Sequence, residues 1–305
     1  MKYGPRSELQ RLKFFCRFTI TMSLCGIWRD PADKLFLFSD SRISKIEEPT
    51  SSKSNQETKV TYSDTGVKII SVPVNITDPA DSDRLIYPWN IGLCFAGDCI
   101  SAYILVLCLS QILQSLELDP LHGKLSFEAI ADLVRKAYQV VAREQFNNGL
   151  IMQSELPDII IAGWCPETER LLARKLSVDE EEMNEIIIKS LDIVQNTSTI
   201  HFIGSGTAKA KQIYVNRGGD RPLQLIDWVS RVEKTVGGPV QYGFFEKQSF
   251  RVCGTVNTLV NPFKRFRYLG VTLYGDHPTF DGSGFYFKQS FMPLDITFSY
   301  RCNVV

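Results

Sequence analysis

The N-terminal part of the chain contains the sequence TMSLC at residues 21–25, which begins a β-former-rich, alternating segment that extends to Trp28. Asp40 lies at the end of a second such segment, and Lys68 interrupts a third apolar run. The combination is an alcohol at the start of a strand, a carboxylate and a buried amine. It indicates a nucleophile that is the first residue of the chain and whose own α-amino group acts as the base. The pattern therefore predicts a nucleophile that works only when everything upstream of it is absent.

The composition is that of an ordinary globular protein. The 305 residues are 44% hydrophobic and 22% charged, which is enough for a large core and argues against disorder. Lys plus Arg and Asp plus Glu number 34 each, so no overall basic field attracts nucleic acid or anionic lipid. We therefore expect no nucleic-acid partner and no binding to a membrane surface.

The cysteines and the apolar runs bear on the compartment. None of the eight cysteines forms a Cys-x-x-Cys pair, and with only three histidines a zinc site is not expected. Several cysteines, among them Cys25, lie inside apolar patterns, where a free thiol is a small hydrophobe typical of a reducing compartment. The longest apolar stretch, residues 91–113, is broken at Gly97 and is too short to span a bilayer. Because residues 1–20 also lack the features of a secretory signal, we expect a cytoplasmic protein.

The rest of the chain alternates between strand and helix patterns. Strands are predicted at residues 34–39, 66–74, 91–96, 158–164, 170–178, 199–203 and 240–245, and an exposed polar loop at 47–65. Helices are predicted at 101–116, 127–146, 207–214 and 221–234, the second with Ser126 as its N-cap and a stop at Gly149. Two groups of strands around a helix pair indicate a layered α+β protein, to which the aromatic residues 253–305 add further strands.

Seven short motifs follow one another along residues 21 to about 250. They are MSLC at 22–25, FSDSR at 38–42, GVKI at 66–69, FAGD at 95–98, AGW at 162–164, GSG at 204–206 and VGGPV at 236–240. In this order they resemble the proteasome β-subunit family, and within it the bacterial proteasome-like peptidases of the Anbu type. The resemblance implies a four-layer αββα sandwich, the N-terminal-nucleophile hydrolase fold, over residues 21–252. Residues 1–20 would be an N-terminal extension or leader, and residues 253–305 a β-rich extension packed on the same domain.

The same resemblance implies a role for each of four residues. Asp40 and Lys68 would be the carboxylate and the amine beside the nucleophile, where they assist proton movement. Gly97 would offer its backbone N–H to the oxyanion of the tetrahedral intermediate. Ser205 would be the serine near the terminal amine.

Two hydroxyls compete for the role of nucleophile. The number of residues between the nucleophile and Asp40 would be larger than in the family, by one for Ser23 and by three for Thr21, so the hairpin would be longer by the same number. Both have the same strand parity, so the facing of the side chains does not separate them. A chain that started at Met22 would expose Ser23 after loss of the methionine, whereas Thr21 would require cleavage after the branched Ile20. We favour Ser23 and keep Thr21 as the alternative.

The implied function is hydrolysis of peptide bonds in peptides or unfolded proteins through an ester intermediate on Ser23 or Thr21. The enzyme would be a homo-oligomer and would need no metal or organic cofactor, because the terminal amine is the base. The competing hypothesis is a catalytically inactive protein that keeps the fold for assembly or binding. Ile20, Glu233 and Val236 favour it, since the last two stand where the family has Asp and Ser.

Overall fold

The computed structural model describes a mixed α/β protein. It covers residues 23–47, 59–121, 123–179, 185–216, 224–257, 265–268, 271–273, 291–293 and 303–304. Thr21, the expected leader at 1–20 and most of 253–305 lie outside the described residues. Within these residues the chain forms two main sheets, a two-stranded hairpin and four α-helices.

The larger sheet is built around the segment that follows Ser23. Its strands, in spatial order, are β15 (Val271–Leu273), β14 (Arg265–Tyr268), β13 (Ser249–Asn257), β12 (Gln241–Glu246), β2 (Leu35–Ser39), β1 (Cys25–Arg29), β11 (Thr199–Ile203) and β17 (Asn303–Val304), and β16 (Phe291–Pro293) pairs beside β13. β1 and β2 form the predicted hairpin, in which Cys25 lies opposite Ser39. The described strands of the C-terminal region thus pair with the same sheet as β1 and β2.

The second sheet has six strands and contains the segment that follows Lys68. Its order is β10 (Ile188–Asp192), β9 (Arg170–Val178), β8 (Asp158–Cys165), β6 (Asp81–Ala96), β5 (Ile69–Asp78) and β7 (Leu116–Glu117). The strand predicted at 66–74 therefore starts and ends too early, and the strand predicted at 91–96 is only the last part of β6. Both continue into a long hairpin, because Val72, Val74 and Ile76 keep alternating into the core.

Two strands occupy positions where the sequence predicts none. β4 (Lys59–Ser63) pairs with β3 (Ile43–Glu47), so the predicted loop at 47–65 is wrong for its last residues. β10 was also missed. Both are short and carry polar or charged residues, and pairing with a neighbouring strand stabilises them where their own sequence does not indicate a strand.

The helices are α1 (Cys99–Ile112), α2 (Phe127–Asn147), α3 (Thr207–Asn216) and α4 (Leu225–Ser230). The prediction for α2 is confirmed, including its cap, since the Ser126 side chain accepts from Ala129 N–H at 3.2 Å. α1 starts earlier than predicted because Asp98 caps it, accepting from Ser101 N–H at 2.7 Å. α4 ends at Ser230, before the predicted end of the helix at 234, and residues 221–223 lie outside the described residues.

Three buried apolar clusters connect these elements. One joins the six-stranded sheet to α1 and α2, for example through Ile91 and Leu105. A second joins the larger sheet to α3 and α4, and it includes Trp28. The third joins the two sheets to each other, and it includes Cys25 and Ile69. Cys25 and Ile69 are the first residues of β1 and β5, so the strand starts that carry the predicted site meet between the sheets.

Candidate active site

A buried ion pair joins the two sheets at these strand starts. Lys68 Nζ lies 2.7 Å from Asp40 Oδ1, and both side chains are 0% exposed. Asp40 directly follows β2 and Lys68 directly precedes β5. The ammonium also donates to the backbone carbonyl of Arg42. Lysine is rarely buried without a partner, so this site meets the condition under which a buried lysine is tolerated.

The Asp40 carboxylate receives further hydrogen bonds from the backbone. Oδ1 accepts from the N–H of Leu24 at 3.1 Å, and Oδ2 accepts from the N–H of Gly237 at 3.0 Å. The N–H of Asp40 in turn donates to the carbonyl of Leu24 at 3.1 Å. Burial raises the pKa of Asp40, while Lys68 and the two backbone N–H groups oppose that rise. The carboxylate therefore depends on its donors to stay charged.

Ser23 is adjacent to this pair. It directly precedes Leu24, the residue whose backbone exchanges two hydrogen bonds with Asp40, and it is only 3% exposed. Its carbonyl accepts from the N–H of Gly206 at 3.4 Å. Gly204 has a φ of +95° and lies very close to Ser23. A Cβ atom added at Gly204 would lie 2.2 Å from the backbone carbonyl oxygen of Ser23. The backbone at Ser23 is thus held by the Gly-Ser-Gly turn as well as by β2.

The other predicted site residues lie on loops around this centre. Ser205 is the exposed middle residue of the turn that touches Ser23. Gly97 connects β6 to α1 with φ of +126°, and an added Cβ would lie 2.7 Å from the Pro157 Cα. Two residues earlier, Phe95 N–H donates to the carbonyl of Lys68 at 3.3 Å, which links the Gly97 loop to the lysine. Thr21 lies outside the described residues, so the choice of nucleophile stays as the sequence left it.

Val236 and Glu233 are the two residues that differ from the pattern of the family that the motifs resemble, and the structure describes the surroundings of both. Val236 is buried and packs against Gly206. A Cβ atom added at Gly206 would lie 2.8 Å from Cγ2 of Val236. Glu233 accepts from the Thr235 hydroxyl at 2.7 Å. It is the backbone of Gly237, rather than either of these side chains, that binds Asp40.

Arg42 has a structural role that the sequence did not reveal, although it belongs to one of the seven motifs. Its guanidinium binds Asp64 through two hydrogen bonds, of 2.7 and 3.0 Å, and donates to the carbonyl of Lys234 at 2.8 Å. It also lies 4.9 Å from the centre of the Tyr62 ring. Arg42 therefore ties three segments together beside the carbonyl that Lys68 binds.

Gln241 and Tyr103 were also missed. Both bind the backbone of the segment that carries Lys68. A glutamine at the start of an otherwise apolar strand, QYGFFE, was the only signal in the sequence, and it does not indicate a partner.

No helix among the described residues is long and apolar enough to cross a membrane. In the same part of the chain, no group of three or more His, Cys, Asp or Glu residues is arranged to hold a metal ion.

Two of the solved structures that are similar to this chain are of Anbu proteins. One is Anbu (ancestral beta-subunit) from Yersinia bercovieri, with a TM-score of 0.45 and 15% identity over 75% of this chain and 85% of that one. The other is the helical assembly of the Anbu complex from Pseudomonas aeruginosa, with a TM-score of 0.47 and 16% identity over the same shares. Both are the kind of protein that the seven motifs resemble. No protein-family model matches the chain, and no curated protein matches it.

Proposed function

We propose that the protein is a proteasome-like N-terminal-nucleophile peptidase, with Ser23 as the nucleophile. The observation that carries the proposal is the fully buried Lys68–Asp40 pair, whose carboxylate binds the N–H of the residue after Ser23. An ion pair in such a place contributes little net stability, because the cost of desolvation offsets the attraction between the charges. A role in chemistry gives a reason for burying it beside a hydroxyl.

In the proposed mechanism, a chain that begins at Ser23 has a free α-amino group next to the Ser23 hydroxyl. The amine takes the proton from Oγ as that oxygen attacks the substrate carbonyl, and the Gly97 N–H stabilises the resulting oxyanion. The amine then passes the proton to the leaving nitrogen, the peptide bond breaks and an ester remains. Water attacks the ester with the same amine as base, which frees the acid and restores Ser23. The Lys68 ammonium, held by Asp40 and the Arg42 carbonyl, favours the neutral amine and the developing alkoxide.

The proposal extends to the architecture. The helix pair α1–α2, the two sheets and the pair α3–α4 form a four-layer αββα sandwich over residues 21–252, with 253–305 as an extension of the same domain. The three apolar clusters support it, since each joins one neighbouring pair of these layers. The proposed substrates are peptides or unfolded proteins.

We also propose a cytoplasmic homo-oligomer. One face of α1 exposes Ile100, Ile104 and Leu107, which are 60%, 40% and 68% exposed. A second copy of the chain would cover this apolar face. Buried free thiols, such as those of Cys25 and Cys94, fit a reducing compartment.

Mass spectrometry of the intact chain, combined with a peptidase assay, tests the proposed nucleophile. A protein expressed from Met22, which begins at Ser23 after loss of the methionine, should hydrolyse fluorogenic peptides. Ser23→Ala in that protein should abolish hydrolysis, because no alcohol remains beside the terminal amine.

The matched pair is Thr21→Ala and Ser23→Ala, both made in the full-length chain. Thr21→Ala should leave the N-terminus and the activity of the full-length preparation unchanged, whereas Ser23→Ala should abolish the activity. Activity that is lost with Thr21→Ala and kept with Ser23→Ala would assign the nucleophile to Thr21. A correctly processed protein that cleaves no peptide would indicate an inactive relative instead.

A further inference from the structure

Residues 66–69 carry Lys68 into the site and lead into β5, which begins at Ile69. On the β6 side, the Lys68 carbonyl accepts from the N–H of Phe95. Two side chains bind this segment from opposite directions. Gln241 reaches it from β12 of the larger sheet, and Tyr103 reaches it from α1. Neither has a part in the proposed mechanism.

Gln241 uses both ends of its amide on the segment. Oε1 accepts from the N–H of Lys68 at 2.8 Å and from the N–H of Ile69 at 3.1 Å, while Nε2 donates to the carbonyl of Gly66. The side chain is 2% exposed, and Gln241 lies opposite Ser39, the residue before Asp40. One buried amide therefore fixes the backbone of Lys68 relative to the strand that carries Asp40.

Tyr103 binds the preceding residue. Its hydroxyl accepts from the N–H of Val67 and donates to the carbonyl of Val67, both at 3.0 Å. Burial raises the pKa of Tyr103, so the hydroxyl keeps the proton that it donates at neutral pH. The ring packs edge-on against Phe95 at 5.5 Å, which sets the direction of the hydroxyl.

The lysine side chain has many rotatable bonds, so its ammonium is fixed only if the backbone beneath it is fixed. We propose that Gln241 is a positioning residue for Lys68, with Tyr103 as a second one, and that together they place the ammonium between Asp40 and the Arg42 carbonyl. This inference rests on the proposed function for its catalytic consequence. The inferred position of the Lys68 ammonium does not depend on the proposed function.

Kinetics of Gln241→Met test the catalytic consequence. Methionine has a similar size but forms none of the three hydrogen bonds, so kcat should fall about 10²-fold with KM unchanged, as expected when a reacting group is misplaced by about an ångström. In a Lys68→Met background the same substitution should have no further effect on kcat. A substitution that only weakened the fold would act in both backgrounds.

Ser71→Ala is the matched control. Ser71 lies on β5, and its hydroxyl donates to the Phe250 carbonyl of the larger sheet at 3.0 Å. Loss of this hydroxyl removes a hydrogen bond between the two sheets that does not involve residues 66–69. It should leave kcat unchanged. If Gln241→Met does not fold, Tyr103→Phe decides the question, since it removes only the hydroxyl and should lower kcat about tenfold, in keeping with a loss of about 1.4 kcal/mol.

NMR of protein labelled with ¹⁵N-lysine separates this inference from the proposed function. An ammonium held by Asp40 and a carbonyl should give a protected Nζ signal, identified by its absence in Lys68→Met. Gln241→Met or Tyr103→Phe should broaden or shift that signal even if the wild-type chain cleaves no peptide. An unchanged Lys68 signal and unchanged kcat in both variants would overturn the inference.

Discussion

The Lys68–Asp40 pair is costly for a fold to keep. Moving a charged group out of water costs several kcal/mol, and an ion pair recovers that only when further hydrogen bonds satisfy both partners. Here Asp40 has two backbone N–H donors besides Lys68, and Lys68 has the Arg42 carbonyl. Because each group depends on the other, removing one partner is expected to be far worse than removing both.

Urea unfolding of a double-mutant cycle tests this dependence. Lys68→Met leaves the Asp40 carboxylate buried without its cation, and the free energy of unfolding should fall by about 3–5 kcal/mol. Asp40→Asn should cost a similar amount, because it leaves the ammonium buried. The double variant should lose clearly less than the sum of the two. Strictly additive losses would mean that the two side chains do not interact in the folded protein.

Among the elements, the turn between β11 and α3 has the tightest contact with the site. Gly204 needs a left-handed backbone there, and it also lies against the Ser23 carbonyl. Gly149, which ends the region of α2, has φ of +66° with no atom near the place of an added Cβ. A side chain at Gly149 would therefore cause only backbone strain, whereas a side chain at Gly204 would cause backbone strain and also a clash with Ser23.

Thermal or urea unfolding of two alanine variants should make this difference visible. Gly149→Ala should cost about 1 kcal/mol, the usual penalty of a left-handed backbone with a side chain. Gly204→Ala should cost several times more, because the new methyl group displaces Ser23 as well. Equal losses in the two variants would indicate that the contact with Ser23 relaxes without cost.

At the scale of the whole molecule, the apolar clusters connect helices to sheets and the sheets to each other, yet in the part of the chain that the structure describes one face of α1 is exposed. α1 is apolar nearly all round, with its buried residues facing the first cluster and Ile100, Ile104 and Leu107 outward. A helix that is hydrophobic on every side is normally buried on every side. This is why self-association is expected to involve α1.

Light scattering coupled to size-exclusion chromatography checks this expectation. Leu107→Glu places a charge at the most exposed residue of this face and should reduce the measured mass to that of one chain. Leu121→Glu is the matched control, since Leu121 is 83% exposed in a turn away from α1. If both variants keep the mass of the wild type, the α1 face is not the contact between copies.

Elements whose signals are local could be predicted from the amino-acid sequence. α2 was predictable because its apolar spacing, its Ser126 cap and its stop all lie within the helix and its flanks. The strands at β8, β9 and β11 were predictable from continuous or alternating apolar runs. The resemblance carried by short motifs also implied that Asp40 and Lys68 lie near each other, and they form an ion pair, while their catalytic role stays a prediction.

Only the tertiary structure decided which distant groups meet. Gln241 binds the N–H of Lys68 across 173 positions of the chain, and β4 is a strand because β3 pairs with it. The Cβ clash at Gly204 depends on Ser23, far away along the chain. Hydrogen bonds and contacts of this kind have no periodicity in the sequence, because they arise from the pairing of strands and from the packing of one sheet on the other.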